Sequence, residues 1–309
     1  MDKVPTHENE GKAMSSKTIR LTGPELAAEI SELGAELVRL QDHEGRDLLW
    51  SGDPAVWAGR APLLFPMVGR AKDDRIRVDG RDYELPKHGF ARTSQFSVVA
   101  QREDGCTLRL ASGPETLTGY PFSFRLDVTY EIAGSVLINR AVVTNEDATA
   151  LPVSFGFHPA FRWPLPYGAA REAHEIVFDQ DESGQPIRRV QDGLMTQVRH
   201  PTPVAGTRLR LADHLFVDDA LIFLSPASRS VAYGAAGSPA LMVRFPGMPH
   251  LGIWTKPGAG YVCIEPWQGF ASPDDFDGEF AQRPGVISVP VGGAATFAIE
   301  IALLPGMPR

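Results

Sequence analysis

The strongest constraint on this chain is a long succession of short segments in which apolar and polar residues alternate. They run from Thr18 to Leu304, and Gly, Pro or an Asx residue closes most of them. A two-residue period sends successive side chains to opposite faces of an extended backbone, so each segment reads as a strand with one buried face. The 10-odd residues on either side of Ala133-Gly134, Phe122 to Ile132 and Val136 to Asn145, predict a long antiparallel hairpin. Asp79-Gly80, set between Arg75-Ile-Arg-Val and Arg81-Asp-Tyr-Glu-Leu, predicts a second. No segment carries the 3.6-residue period of a three-turn amphipathic helix. With 30 Gly and 26 Pro to supply turns, the pattern predicts an all-β sandwich or barrel.

No linker-like shift in composition divides these strands, which predicts one domain over 18–309. Residues 1–17 are polar and charged without an apolar core, so they predict a disordered tail and not a secretory signal. A net charge of -8 argues against nucleic acid or an anionic membrane as partner. The two cysteines, Cys106 and Cys263, lie in separate strand-like runs and predict no disulfide framework. No apolar run reaches transmembrane length. The expected location is the cytoplasm, as a monomer or homodimer.

Chemistry concentrates in a few places. Phosphate loops, nucleophile elbows and HExxH pairs are missing, and the eight histidines show no ligand spacing, so no metal is expected. In Tyr261-Val-Cys-Ile-Glu-Pro-Trp-Gln-Gly269, alternation places Glu265 on one face with Tyr261, Cys263 and Trp267. An acid among aromatics is desolvated and its proton affinity rises, which suits a general base in a site that stacks aromatics on a sugar. By itself the same acid also reads as a salt-bridged strand end. In Val153-Ser-Phe-Gly-Phe-His158, the residues Ser154, Gly156 and His158 share a face, which reads either as room for a ligand against the bare glycine or as a satisfied histidine at a strand end. Gly89 frees the backbone beside His88, in a loop after the second hairpin, where the histidine by itself also reads as an ordinary loop residue. Arg70 closes a proline-broken segment and offers a planar donor fork for sugar hydroxyls, though by itself it also reads as a surface arginine. Asp218 and Asp219 precede the strand-like Ala220-Leu-Ile-Phe-Leu, where an acid either accepts hydrogen bonds from hydroxyls or ends a loop.

In order along the chain, Gly34-Ala-Glu-Leu, Leu48-Leu-Trp-Ser-Gly-Asp-Pro54, Ala61-Pro-Leu-Leu-Phe-Pro-Met-Val-Gly-Arg70, His88-Gly-Phe-Ala-Arg92, Phe155-Gly-Phe-His-Pro-Ala-Phe161 and Cys263-Ile-Glu-Pro-Trp267 resemble the aldose 1-epimerase (galactose mutarotase-like) family. The resemblance is greatest to its bacterial LacX-like branch and spans Ile19 to Leu304. It implies a β supersandwich with a sugar in an open cleft on one sheet, and no cofactor. It implies Glu265 as the general base at the anomeric hydroxyl, His158 as the acid at the ring oxygen and His88 as a second histidine there. Arg70 and Trp267 are implied as sugar-binding groups, with Asp219 preferred to Asp218 as the binding aspartate. Two other functions fit the same cleft: a hexose-6-phosphate 1-epimerase, with Arg60, Lys87 or Arg92 to hold the phosphate, and a non-catalytic sugar-binding protein.

Overall fold

The computed structural model describes residues 17–308. The tail expected over 1–17 therefore lies, but for Lys17, outside the described residues. Among the described residues strand is the dominant regular structure, with one short helix, Pro114–Leu117, a few 3-10 turns, and loops and turns between them. No helix among them is long and apolar enough to cross a membrane.

Both predicted hairpins form. Phe124–Ala133 pairs antiparallel with Val136–Asn145, and Gly134 turns at φ 61°. Arg75–Val78 pairs with Arg81–Glu84, and Asp79 and Gly80 both take positive φ, as a two-residue hairpin turn needs. The long hairpin lies inside a nine-stranded antiparallel sheet. Its spatial order is Arg208–Arg210, His174–Phe178, Ser230–Ala235, Ala240–Arg244, Ala294–Leu304, Val136–Asn145, Phe124–Ala133, Gly105–Ala111 and Ser97–Gln101.

A smaller sheet carries the cleft. Its order is Leu221–Phe223, His250–Trp254, Tyr261–Gln268, Phe155–Phe157 and Leu63–Leu64, with Ala160–Arg162 also pairing onto Tyr261–Gln268. Alternation divides the two layers as the sequence predicts. Leu126, Val128 and Tyr130 of the large sheet join Val262, Ile264, Phe155 and Phe157 of the small one in a shared apolar core. Phe155 stacks on Phe297 at 4.9 Å and 6°, a direct tie between the layers. A three-stranded sheet, Thr18–Thr22, Leu26–Ser31 and Leu37–Asp42, adds further apolar side chains to that core.

One predicted strand is divided. Leu151–Val153 pairs with Ile287–Val289, whereas Phe155–Phe157 belongs to the cleft sheet. The switch falls at Ser154, whose amide donates to the Pro66 carbonyl at 3.0 Å instead of to either ladder.

Candidate active site

The strand Tyr261–Gln268 runs through the middle of the cleft sheet, and its register sets the site. Gly156 lies opposite Trp267 and Ala160 opposite Cys263. Continued through the gap between those pairs, the same register puts His158 directly across from Glu265. On the other side Gly252 faces Glu265. The cross-strand placement brings the His158 Nε2 within 3.2 Å of a Glu265 carboxylate oxygen.

The two glycines serve the indole of Trp267. A Cβ on Gly252 would stand 2.4 Å from Trp267 Cη2, and one on Gly156 would stand 2.7 Å from Cδ1. The ring therefore lies flat across neighbouring strands and forms part of the cleft floor. This revises the expectation for Gly156: the space above it holds Trp267 and is not open to a ligand.

Around this floor the cavity has a volume of about 250 Å³, and Trp57, Val68, Lys87, His88, Arg92, Asp219 and Trp254 are among its walls. Trp57 packs on His158 at 5.1 Å between ring centres, and Trp254 meets Trp57 edge-on at 5.7 Å. His88 sits on the opposite wall, 6.0 Å from the His158 ring. Its position depends on Gly89, where a Cβ would meet the Phe65 carbonyl oxygen at 2.2 Å. The Gly69 amide donates to His88 Nδ1 at 3.1 Å, so the proton of neutral His88 resides on Nε2. Behind this wall buried Arg283 donates to the Phe270 carbonyl at 2.6 Å and the Val68 carbonyl at 3.3 Å, joining two segments that flank the cavity.

Burial governs the charges here. Glu265, 2% exposed, is pushed well above the usual carboxylate range by burial and then by the Asp219 charge, against a smaller opposite pull from Lys87. Burial takes His158 down to about 3, and Lys87 and Arg92 add to the effect. His88 is held well below its ordinary value by burial, His158, Lys87 and Arg92. Burial thus favours the uncharged form of both members of the pair, protonated Glu265 and neutral His158.

Of the residues singled out in the sequence, Glu265, His158, His88, Trp267 and Asp219 line one cavity, and Asp218 does not. Asp219 stands at the exposed mouth in a left-handed conformation (φ 68°) and caps the Ala220 amide at 2.7 Å. Arg70 lies beyond the rim, in an adjoining depression shared with Lys87, Arg92 and Asp219. Its fork is closed on Asp74, at 2.8 and 2.5 Å. Arg60 hydrogen-bonds the Ser51 carbonyl and is not part of the lining. Trp57 and Trp254 were not anticipated. The signal for Trp254 was its place two residues after Gly252, on the same strand face; Trp57 lies in a turn that alternation does not orient. The fold also brings His158, Cys263 and Glu265 together, their donor atoms all within 4.8 Å. Histidine spacing in the sequence contains no trace of that cluster.

An antiparallel sandwich of this size, bearing on its smaller sheet an aromatic cleft with a buried carboxylate and imidazole, has the galactose mutarotase-like architecture. The profile of the aldose 1-epimerase family matches residues 17–281, and the chain belongs to that family. It is 30% identical over 284 residues to the protein LacX (plasmid) of Lactococcus lactis subsp. lactis, covering 88% of this chain and 94% of LacX. A galactose mutarotase related enzyme from Lactobacillus acidophilus superposes with a TM-score of 0.85 at 28% identity, over 95% of this chain and 99% of that one. A galactose mutarotase-like protein from Lactobacillus casei gives 0.84 at 26% identity, over 93% and 100%.

Proposed function

We propose that the protein interconverts the α and β anomers of a hexose or a related aldose by acid–base opening and reclosure of the ring. The observation that carries this reading is the direct opposition of His158 and Glu265 at 3.2 Å, buried on the floor of an aromatic cavity. Opening begins from the tautomer in which their shared proton is on His158. Glu265 takes the proton of O1, the C1–O5 bond breaks, and His158 protonates O5. The sugar is then an open-chain aldehyde, Glu265 is a neutral acid and His158 a neutral base. After C1 has turned, Glu265 returns a proton to the carbonyl oxygen while His158 removes one from the C5 hydroxyl, and the ring closes on the other face. The pair regains its starting state without exchanging a proton with solvent. Each concerted transfer avoids a full charge on oxygen and contributes about 10²–10⁴-fold.

The other groups bind and orient. His88, fixed as an Nε2–H donor, supplies a hydrogen bond near the ring oxygen. Trp57, Trp254 and Trp267 offer apolar faces to the C–H surface of a sugar, and Asp219 accepts from a hydroxyl at the mouth. Arg70 engages a sugar only by releasing Asp74. Lys87 and Arg92 line the same cavity, and they favour, as a second reading, a sugar that carries a phosphate.

The test is anomer exchange measured at equilibrium by magnetisation-transfer NMR on glucose, galactose and their 6-phosphates. Wild-type protein accelerates exchange of at least one, and Glu265→Gln and His158→Asn each lose about 10²–10⁴-fold while remaining folded. A marked preference for the 6-phosphates, with inhibition by inorganic phosphate, selects the second reading. Full activity in Glu265→Gln refutes the assignment of the base. A sugar that binds without faster exchange identifies a binding protein instead.

A further inference from the structure

Cys263 stands two residues before Glu265 on the same strand face, and His158 faces Glu265 from across the ladder. An imidazole nitrogen, a thiol sulfur and a carboxylate oxygen therefore converge within 4.8 Å, all from buried residues. The His158 Nδ1 is buried with no hydrogen-bond partner, as is the hydroxyl of Tyr261. We propose that His158, Cys263 and Glu265 form a site for a thiophilic divalent cation such as Zn²⁺ or Cd²⁺, and that the ion excludes sugar when it binds.

The donor set selects the metal. Thiolate and imidazole favour Zn²⁺ and Cd²⁺ over Mg²⁺ and Ca²⁺, which prefer all-oxygen shells. Zinc bonds of about 2.0–2.3 Å place tetrahedral ligand atoms roughly 3.3–3.8 Å apart. The His158–Glu265 separation of 3.2 Å lies just under that spacing. The remaining distances close on an ion with side-chain adjustments of about 1 Å. Two of the three ligands line the cavity, so the fourth coordination position opens toward it and takes a water molecule.

The charges balance as well. Binding requires Cys263 as thiolate, Glu265 as carboxylate and His158 as neutral imidazole, so any protons they hold leave as the dication enters. The buried set then holds a thiolate and a carboxylate against the metal and carries no net charge. In this state neither member of the pair is free to move a proton to or from a sugar. That consequence rests on the proposed anomer exchange; the metal site itself does not.

An optical titration separates the two. Cd²⁺ added to the full chain produces an ultraviolet thiolate-to-cadmium charge-transfer band that saturates at a single ion per chain. The band survives in Cys106→Ser and is absent in Cys263→Ser; its persistence in Cys263→Ser, or its loss in Cys106→Ser alone, overturns the site. Excess Mg²⁺ does not displace Cd²⁺, whereas Zn²⁺ does. Zn²⁺ inhibits anomer exchange in competition with sugar, and Cys263→Ser needs about 10–100-fold more Zn²⁺ for the same fractional loss of its own metal-free rate. Equal sensitivity of wild type and Cys263→Ser refutes the inhibitory role. If no sugar exchanges faster with wild type, the charge-transfer band still decides whether the site exists.

Discussion

Replacing Gly252 by alanine tests the floor of the cleft directly. The glycine is in a regular strand, so alanine fits its backbone and by itself would stabilise the chain by about 0.4–1 kcal/mol through the unfolded state. The added methyl would stand 2.4 Å from Trp267 Cη2 and 2.5 Å from Cζ2. Carbon atoms at rest are about 3.5–4.0 Å apart, so the shortfall is roughly 1 Å and falls on a rigid ring that has no flexible end to yield. Overpacking of this kind costs about 1–3 kcal/mol, and the net loss should be about 1–2 kcal/mol. The only relief is for the indole to rise into the 250 Å³ cavity, which moves an aromatic face by about 1 Å where a sugar would rest. A displacement of that size lowers exchange by about 100-fold. Urea unfolding followed by circular dichroism, with magnetisation transfer on the same samples, measures both effects. The control is the double variant: in a Trp267→Ala background Gly252→Ala should cost nothing, because the clashing atoms are gone. Wild-type stability and rate in Gly252→Ala, or an undiminished cost in the double variant, would refute the argument.

Other outcomes follow from the same geometry. Burial lowers His158 to about 3 and raises Glu265, so the two proton affinities move in opposite directions and the imidazole is neutral at neutral pH. His158 gains a proton only in acid, and Glu265 holds its proton above the usual carboxylate range. Exchange rates should therefore be level through pH 6.5, where an unperturbed histidine titrates; an inflection there would show that an ordinary imidazole controls the reaction. The ¹⁵N shifts of His88 should report a bare Nδ1 and a protonated Nε2, and the opposite tautomer would break the link to Gly69. Arg283→Met leaves two buried carbonyls without their donor, at about 1–3 kcal/mol by urea unfolding. An unchanged midpoint would mean that Arg283 clamps nothing.

Much of the architecture was legible because a period of two is hard to mistake over many strands. Val262 and Ile264 enter the core, and Glu265 and Trp267 line the cleft with Cys263 buried on the same strand face, as alternation requires. Register was not legible. Glu265 and His158 could each be picked out, but their opposition depends on which residue of one strand meets which of another, and no local pattern states that. The same gap hid the approach of Cys263 to His158. Gly156 illustrates a different limit: a bare glycine on a strand says that something comes close, and only the fold reveals a tryptophan instead of a ligand. The division at Ser154 was invisible because both halves alternate alike while belonging to different sheets. Arg70 showed its donor fork in the sequence, whereas the positive φ angles of Asp73 and Asp74, which shape the turn bearing its partner, did not show.

The clamp at Arg283 has a kinetic consequence. It fastens a carbonyl 215 residues earlier in the chain, and the ladders that hold His158 opposite Glu265 likewise join distant stretches. Such closures are entropically slow, so the cleft should be among the last parts of the molecule to assemble. During refolding, strand signal would return first and the proposed anomer exchange later. A ribosome-bound chain would lack a formed cleft until its final strands had emerged, so the exchange proposed above would double as a sensitive indicator that folding is complete.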